Sequence, residues 1–286
     1  MAEFLSLKEA VARNLRDGNR VAFEGFTHLI PHAAAHEAIR QGRKDLTLIR
    51  MTPDLVYDQM IGMGCAKKLI FSFAGNPGVG LLRRVRDAVE NDWPQPLEIE
   101  EHSHAAMANA YEAGAAGLPC AIFRGYIGAE LKRVNPSIKS VTCPFSGEIL
   151  AAVPAINPDV GIIHAQKANR RGDVLIEGIT GAQKEVVLAS KRSVVTVEEI
   201  VEDFSDVHKN ACILPHWTVS AVALVPGGAH PSYAHGYYTR DNAAYLEWEE
   251  ISSKRASFRA WMEKNVLEAG PDVFERRVED LRDRRR

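Results

Sequence analysis

The sequence predicts an α/β fold: a mostly parallel sheet covered by helices on both faces, with a helical extension at the C-terminus. Three observations predict it. Short apolar runs alternate with amphipathic segments at intervals of about 25 residues, the pattern of parallel strands joined by crossover helices. After Tyr237 that alternation gives way to helical, increasingly charged sequence ending in Arg282-Asp283-Arg284-Arg285-Arg286, which reads as a solvated tail. No low-complexity linker or internal repeat divides the chain. Residues 1–237 therefore read as one α/β domain and 238–286 as a helical extension packed on the same domain.

Each element has a local reason. Ser6-Leu7-Lys8-Glu9 is a capping box, Leu7, Ala10, Val11 and Leu15 repeat at helical spacing, and Gly18 ends the helix. Arg20 to Phe26 is a short apolar strand, and Pro31 opens a helix that runs from Ala33 to Arg40. Leu46 to Met51 is the second strand, Asp54 caps a helix through Met60, and Lys68 to Phe73 is the third strand. After a loop at Ala74 to Gly78, Val79 to Val89 is helical. Leu97 to Glu101 is a fourth strand, Ala105 to Ala113 a helix, and Ala121 to Arg124 a further strand of the alternation. From Ile138 to Ile179 the chain is β-rich and broken by Pro and Gly. Val160 to His164 and Val174 to Ile176 read as a hairpin across Arg170-Arg171-Gly172-Asp173. Helix Ala182 to Ala189 and strand Val194 to Val197 resume the alternation.

Composition narrows the function. A net charge of −2 provides no field to attract nucleic acid or an anionic membrane surface. Cys65, Cys120, Cys143 and Cys212 lack the spacing of a disulfide framework or zinc ribbon, and each sits among apolar or small residues. Free thiols indicate a reducing compartment, and the cytoplasm is expected. No stretch approaches the roughly 20 apolar residues of a membrane span, and Glu3 and Lys8 stand where a signal peptide needs an apolar core.

Four segments stand where strand ends place ligands in open α/β sheets. Glu24-Gly25-Phe26-Thr27-His28 follows the first strand, and Gly25 there permits close backbone approach. Gly75-Asn76-Pro77-Gly78-Val79-Gly80 precedes a helix but matches neither a Walker loop nor the dinucleotide pattern. Glu98-Ile99-Glu100-Glu101-His102-Ser103-His104 holds acids and imidazoles together. On an alternating strand Glu98 and Glu100 share one face, so these groups cannot all converge, and a metal would need a third ligand from afar. One imidazole facing the cleft, oriented by a neighbour, is the reading preferred. Pro226 to Tyr233, with His230, is a turn-rich loop, and no serine sits in a nucleophile elbow. The residues alone point to a loop-built cleft on an α/β protein.

In this order, the same segments resemble the A (alpha) subunits of class I CoA-transferases, from about Leu5 to about Ala269, an open α/β fold also related to sugar-phosphate isomerases. Asp17 to Phe26 is similar to the family's N-terminal signature, with Glu24 replacing the first glycine of its usual pair and no glycine before Pro31. Ile163 to Ala168, Thr196 to Ile200 and Gly228 to Ser232 resemble the glutaconate branch. Phe26 to Pro31, Arg50 to Leu55 and Glu98 to His104 resemble the 3-oxoadipate branch, which serves aromatic-compound breakdown.

The resemblance implies ping-pong transfer of CoA from succinyl-CoA to 3-oxoadipate through a glutamyl-CoA thioester. The nucleophilic glutamate would lie on a B (beta) subunit, whose motif this chain lacks. It implies a hetero-oligomer of the two subunit types, with acyl-CoA and dicarboxylic acid substrates and no metal or organic cofactor, CoA being a substrate carried as a thioester. His104 falls where many members carry an oxyanion-donating glutamine. Gly25, Phe26, Thr27, His28, Asn76, Glu101 and His102 are the expected substrate-binding residues, and His28, His32 and His102 the expected donors to a dicarboxylate. The alternatives are another dicarboxylate transferase such as glutaconate CoA-transferase, a ring-cleaving hydrolase of CoA thioesters with a carboxylate in this chain, and a non-catalytic ligand-binding domain.

Overall fold

The computed structural model describes residues 2–76, 80–205, 207–270 and 272–283. In chain order it begins with β1 (Glu3–Phe4), α1 (Leu7–Asn14), β2 (Arg20–Glu24), α2 (His32–Arg40), β3 (Leu46–Ile49), α3 (Leu55–Gly62), β4 (Ala66–Phe71), α4 (Arg83–Asn91), β5 (Glu98–Glu101) and α5 (His104–Ala115). There follow β6 (Cys120–Phe123), α6 (Leu131–Val134), β7 (Lys139–Thr142), β8 (Ile149–Pro154), β9 (Val160–Asn169), β10 (Val174–Ile176), α7 (Gln183–Ala189), β11 (Arg192–Val201), β12 (Cys212–Leu214) and β13 (Ala221–Leu224). Helices α8 (Asn242–Ser253), α9 (Arg255–Met262) and α10 (Val273–Asp283) close the chain.

The predicted parallel sheet is present. Its strands lie in the order β1-β13-β11-β9-β2-β3-β4-β5, and every neighbouring pair on that path is parallel. From β2 the chain runs outward through β3, β4 and β5. It then returns to the other side of β2 as β9 and runs outward the opposite way through β11 and β13. The order reverses between β2 and β9, and an open sheet has its ligand crevice at the carboxyl ends of such strands.

The local rules hold where they are strongest. Ser6 and Glu9 form the reciprocal capping box, and Asp54 caps α3 by accepting from the Val56 N–H at 3.4 Å. The hairpin forms as β9 and β10, antiparallel, and the Asn169 side chain ties its turn by accepting from the N–H groups of Arg171 and Asp173. Glu98 and Glu100 do share a face: Lys68 of the adjacent strand reaches both, at 2.8 and 2.7 Å.

Other boundaries differ. The first strand stops at Glu24, because Thr27 and Leu29 take left-handed conformations with φ of 56° and 53°. The helix expected from Val79 starts at Arg83. Leu82 offers no side-chain cap, and the Asp58 carboxylate on α3 accepts from the N–H groups of Arg84 and Val85 in its place. Pro77, Gly78 and Val79 of the glycine loop, and Arg284 to Arg286 of the tail, lie outside the described residues.

β6 does not continue the parallel sheet. It pairs antiparallel with β8, and β8 with β7, as a separate three-stranded sheet. The reason is in the pattern. β3 is buried at every position, as a doubly covered parallel strand must be, whereas β8 buries Ala151 and Val153 and exposes Ile149. That one-sided sheet packs Ala121, Ala151 and Val153 against Met107, Ala110 and Tyr111 of α5.

The C-terminal helices contribute Tyr245, Trp248, Phe258, Met262, Val266 and Phe274 to the cluster that also holds Phe23, Leu48 and Tyr57. Phe258 is fully buried, with Trp248 at 5.8 Å and Trp93 at 6.1 Å between ring centroids. The helices thus belong to the main core. Truncating Phe258 to Ala is predicted to cost about 3–5 kcal/mol in urea unfolding, the usual range for a buried aromatic. A loss below about 1 kcal/mol would show these helices to be an independent appendage.

Candidate active site

The site is built around one guanidinium. Arg50 follows β3 directly and is 1% exposed. It donates to Asp54 at 2.9 Å and to the Gly25 carbonyl at 2.6 Å, its Nε lies 3.9 Å from Glu24, and its cation sits 5.5 Å from the Tyr57 ring centroid. A buried cation is tolerable only with such partners. Arg50 therefore ties together the end of β2, the end of β3 and the start of α3.

Glu24 is buried beside it at 2% exposure, and burial lifts its carboxyl pKa to about 7 against the pull of Arg50, the Gly25 N–H and the Tyr111 hydroxyl. Gly25 is required by close approach, as the sequence suggests, but to its own loop. A Cβ there would stand 2.7 Å from the Leu29 carbonyl and 2.8 Å from that of His28.

Above this floor opens a pocket of about 170 Å³ at the carboxyl ends of β2, β3 and β4. Phe26 and Phe73, both exposed, stand at its rim, and Arg50 and Asp54 form its base. Thr52 and His104 line it together, with the Thr52 hydroxyl 3.2 Å from His104 Nε2. His104 is placed there as the first residue of α5, whose cap is Ser103. Arg240 and Tyr245 come from the C-terminal region, the guanidinium 4.3 Å from the ring centroid.

The structure thus brings Phe26, Thr27 and His104 of the expected set into one pocket, with Gly25 bonded to its base. The others lie elsewhere. His28 is buried: its Nδ1 donates to the Ile179 carbonyl at 3.0 Å and its Nε2 accepts from the His235 N–H at 2.9 Å. Burial lowers its pKa to about 4, so it is a neutral brace rather than a cationic donor. His102 is buried against Glu100 at 2.9 Å and Asn135 at 3.4 Å. Glu101 is exposed on a separate groove with Lys68 and Glu98. His32 opens onto a different cavity. Asn76 is buried and its side-chain amide has no partner among the described residues.

Sequence reasoning overlooked Arg50, Thr52, Asp54, Phe73, Arg240 and Tyr245 as pocket residues. A charged residue directly after an apolar strand was a usable signal for Arg50. Arg240 had none, because only tertiary packing returns it to the cleft.

The segments similar to the glutaconate branch form a buried support instead. His164 Nε2 lies 2.6 Å from Glu198, which also accepts from Tyr238 and from the Gly227 N–H. The Ser232 hydroxyl accepts from the Ile30 N–H and so holds the end of the loop that starts at Gly25. Among the described residues no group of three or more His, Cys, Asp or Glu is arranged to hold a metal ion, and no helix is long and apolar enough to cross a membrane.

The coenzyme A transferase family model matches residues 4–224. The chain is 62% identical over 266 residues to the A-type polypeptide of 3-oxoadipate CoA-transferase from Pseudomonas knackmussii, covering 93% of this chain and 94% of that one. It is 32% identical to the A-type polypeptide of glutaconate CoA-transferase from Acidaminococcus fermentans, over 94% and 89% of the two chains. The crystal structure of glutaconate CoA-transferase from the same organism superposes with a TM-score of 0.88 at 30% identity, covering 96% of this chain and 92% of that one.

The raised pKa of Glu24 predicts a pH effect on stability. Its folded-state value, about 7, lies above the unfolded value of 4.5. Between those limits the folded state binds more protons, so stability falls as pH rises through the window and levels off above it. In Glu24→Gln this contribution is absent. Relative to the variant, the wild type should lose urea-midpoint stability between about pH 5 and about pH 8. An equal pH dependence in both proteins would refute the assignment.

Proposed function

The chain belongs to the coenzyme A transferase family, and from that premise we propose that it is the A (alpha) subunit of an enzyme that moves CoA from succinyl-CoA to 3-oxoadipate. The nucleophilic glutamate comes from a B (beta) subunit. The observation that carries this reading is the chemistry of the pocket. Cations and hydrogen-bond donors line it, but its one lining carboxylate among the described residues, Asp54, is 3% exposed and bound to Arg50. Such an acid cannot reach a thioester, and a nucleophile from a partner completes the site.

In the proposed reaction the partner's glutamate attacks the succinyl thioester carbonyl, and collapse of the adduct expels the CoA thiolate and leaves an acyl anhydride. The thiolate attacks the glutamyl carbonyl of that anhydride, giving glutamyl-CoA and free succinate. 3-Oxoadipate then runs the same steps in reverse and leaves as its CoA thioester. Each attack makes an oxyanion, and we assign its stabilisation to His104 and Thr52, which line the pocket 3.2 Å apart. Arg240 supports recognition of the distal carboxylate, and the rings of Phe26 and Phe73 shield the acyl chain from water.

No resident cofactor is required, since CoA enters and leaves as thioester. The free state of the four cysteines fits the reducing cytoplasm. The ring-cleaving hydrolase reading needs an acid where His104 stands, and Glu101 opens onto another groove.

The test is exchange between succinyl-CoA and 3-oxoadipate by this chain co-purified with its B subunit, each alone as control. Transfer in the mixture only supports the proposal, no transfer sinks it, and free CoA released from a ring-derived thioester would restore the hydrolase. With activity in hand, His104→Ala should lower kcat by about 10²–10³ with KM nearly unchanged, the loss expected for one oxyanion donor. Arg240→Met should raise KM for the dicarboxylic acceptor about tenfold or more, a charge-assisted contact being lost. An unchanged KM would remove Arg240 from substrate recognition.

A further inference from the structure

The ring of His104 reaches the acyl pocket because the turn before it, Glu101-His102-Ser103, ends β5 and starts α5 in one fixed place. His104 is itself exposed and its ring meets Thr52 at 3.2 Å, so its aim is set by the backbone that carries it. Two residues of the connection between β6 and β7 hold that backbone. The Asn135 side-chain amide donates to the Glu101 carbonyl at 2.7 Å, and the Ser103 N–H donates to the Tyr126 hydroxyl at 2.8 Å. The second bond is nearer the chemistry, since Ser103 is the cap residue of α5 and the neighbour of His104. A helix provides no partner of its own for an N–H at its start.

The phenol is aimed for this bond. Lys68 Nζ stands 2.7 Å from Glu100, and His102 Nε2 stands 2.9 Å from the same carboxylate. The bonds from His102 and Lys68 hold Glu100 at about 2, so it is ionised and can only accept. The proton of a neutral His102 ring therefore sits on Nε2, and Nδ1 is an acceptor. Nδ1 lies 3.5 Å from the Tyr126 hydroxyl, at the long limit of a hydrogen bond, and draws the phenol proton to its side. A lone pair of the phenol oxygen is left turned to Ser103. Tyr126 is 9% exposed with φ of 59°, and its ring centroid is 5.9 Å from that of Phe123. A left-handed aromatic residue persists only where its surroundings over-determine it, and such strain gathers at functional sites.

We propose that Tyr126 is a positioning residue: its hydroxyl fixes the first turn of α5 and so holds His104 against Thr52, without touching the substrate. This role rests on the oxyanion function assigned to His104 above, whereas the placement of the ring is a property of the chain itself and is measurable without turnover. The sequence of bonds from Lys68 through Glu100 and His102 to Tyr126 also gives the buried imidazole a task. His102 orients the phenol.

The test is a double-mutant cycle on the complex with the B subunit. Tyr126→Phe removes the hydroxyl and keeps the packed ring, and it is expected to lower kcat about tenfold with KM nearly unchanged. In the His104→Ala background the same substitution should change kcat less than about twofold, because a residue that acts through His104 has nothing left to place. Equal losses in the two backgrounds would mark a general structural role and overturn the proposal, as would full kcat in Tyr126→Phe. A crystal structure of Tyr126→Phe separates this result from a failure of the transferase reading. The ring of His104 is expected beyond hydrogen-bond distance of Thr52, and an unmoved ring overturns the proposal whatever the activity. If His104→Ala leaves kcat unchanged, or no transfer occurs at all, the oxyanion reading fails and that structure alone decides the placement.

Discussion

One buried guanidinium sets the geometry on which the site depends. Arg50 is surrounded by Asp54, Glu24 and the Gly25 carbonyl, so the ends of two central strands and the first turn of α3 share a single set of bonds. Removing the cation would leave Asp54 and Glu24 buried without their counter-charge, and breaking such a pair typically costs about 3–5 kcal/mol. The raised pKa of Glu24 belongs to the same balance: near neutrality its carboxyl sits close to its midpoint beside the Arg50 cation. The cluster lies at the point where the strand order reverses, and it forms the base of the pocket.

The loop from Gly25 to Ile30 is held in a costly shape over this base. Thr27 and Leu29 are left-handed, a conformation that L side chains adopt rarely, and Gly25 has no room for a Cβ. The strain persists because other parts of the chain over-determine it. His28 is bonded from both sides, by Ile179 and His235, and Ser232 holds Ile30. Behind Ser232 stands the network of His164, Glu198 and Tyr238. Histidines that look catalytic in the sequence are braces here. They hold the loop that carries Phe26 and Thr27 at the pocket edge.

What the sequence made legible, and what it hid, follows from range. The capping box at Ser6, the Asp54 cap and the turn after Asn169 depend on residues a few positions apart, and all appear. The parallel sheet was readable because doubly covered strands such as β3 are apolar throughout. The fate of β6 was misread because four residues are too few to separate a continuous run from a one-sided one. The pocket was half legible. His104 and Phe26 follow strand ends, which any open α/β sheet points toward its crevice. Arg240 lies 190 positions from Arg50 in the chain, and no local pattern brings it back. His102 and His104 differ by two positions, and only the start of α5 at His104 decides that one is sealed against Glu100 while the other faces the cleft.

On the proposed reading, the chain supplies a shaped cleft with the oxyanion donors and commits its own pocket acid, Asp54, to structure. The central claim is this division of labour, with the covalent step on the partner. It is tested most directly by incubating the assembled complex with succinyl-CoA and weighing each intact polypeptide by mass spectrometry. The account predicts a CoA adduct on one glutamate of the partner and none on this chain. A CoA adduct on this chain, or turnover with no adduct on either, would contradict it.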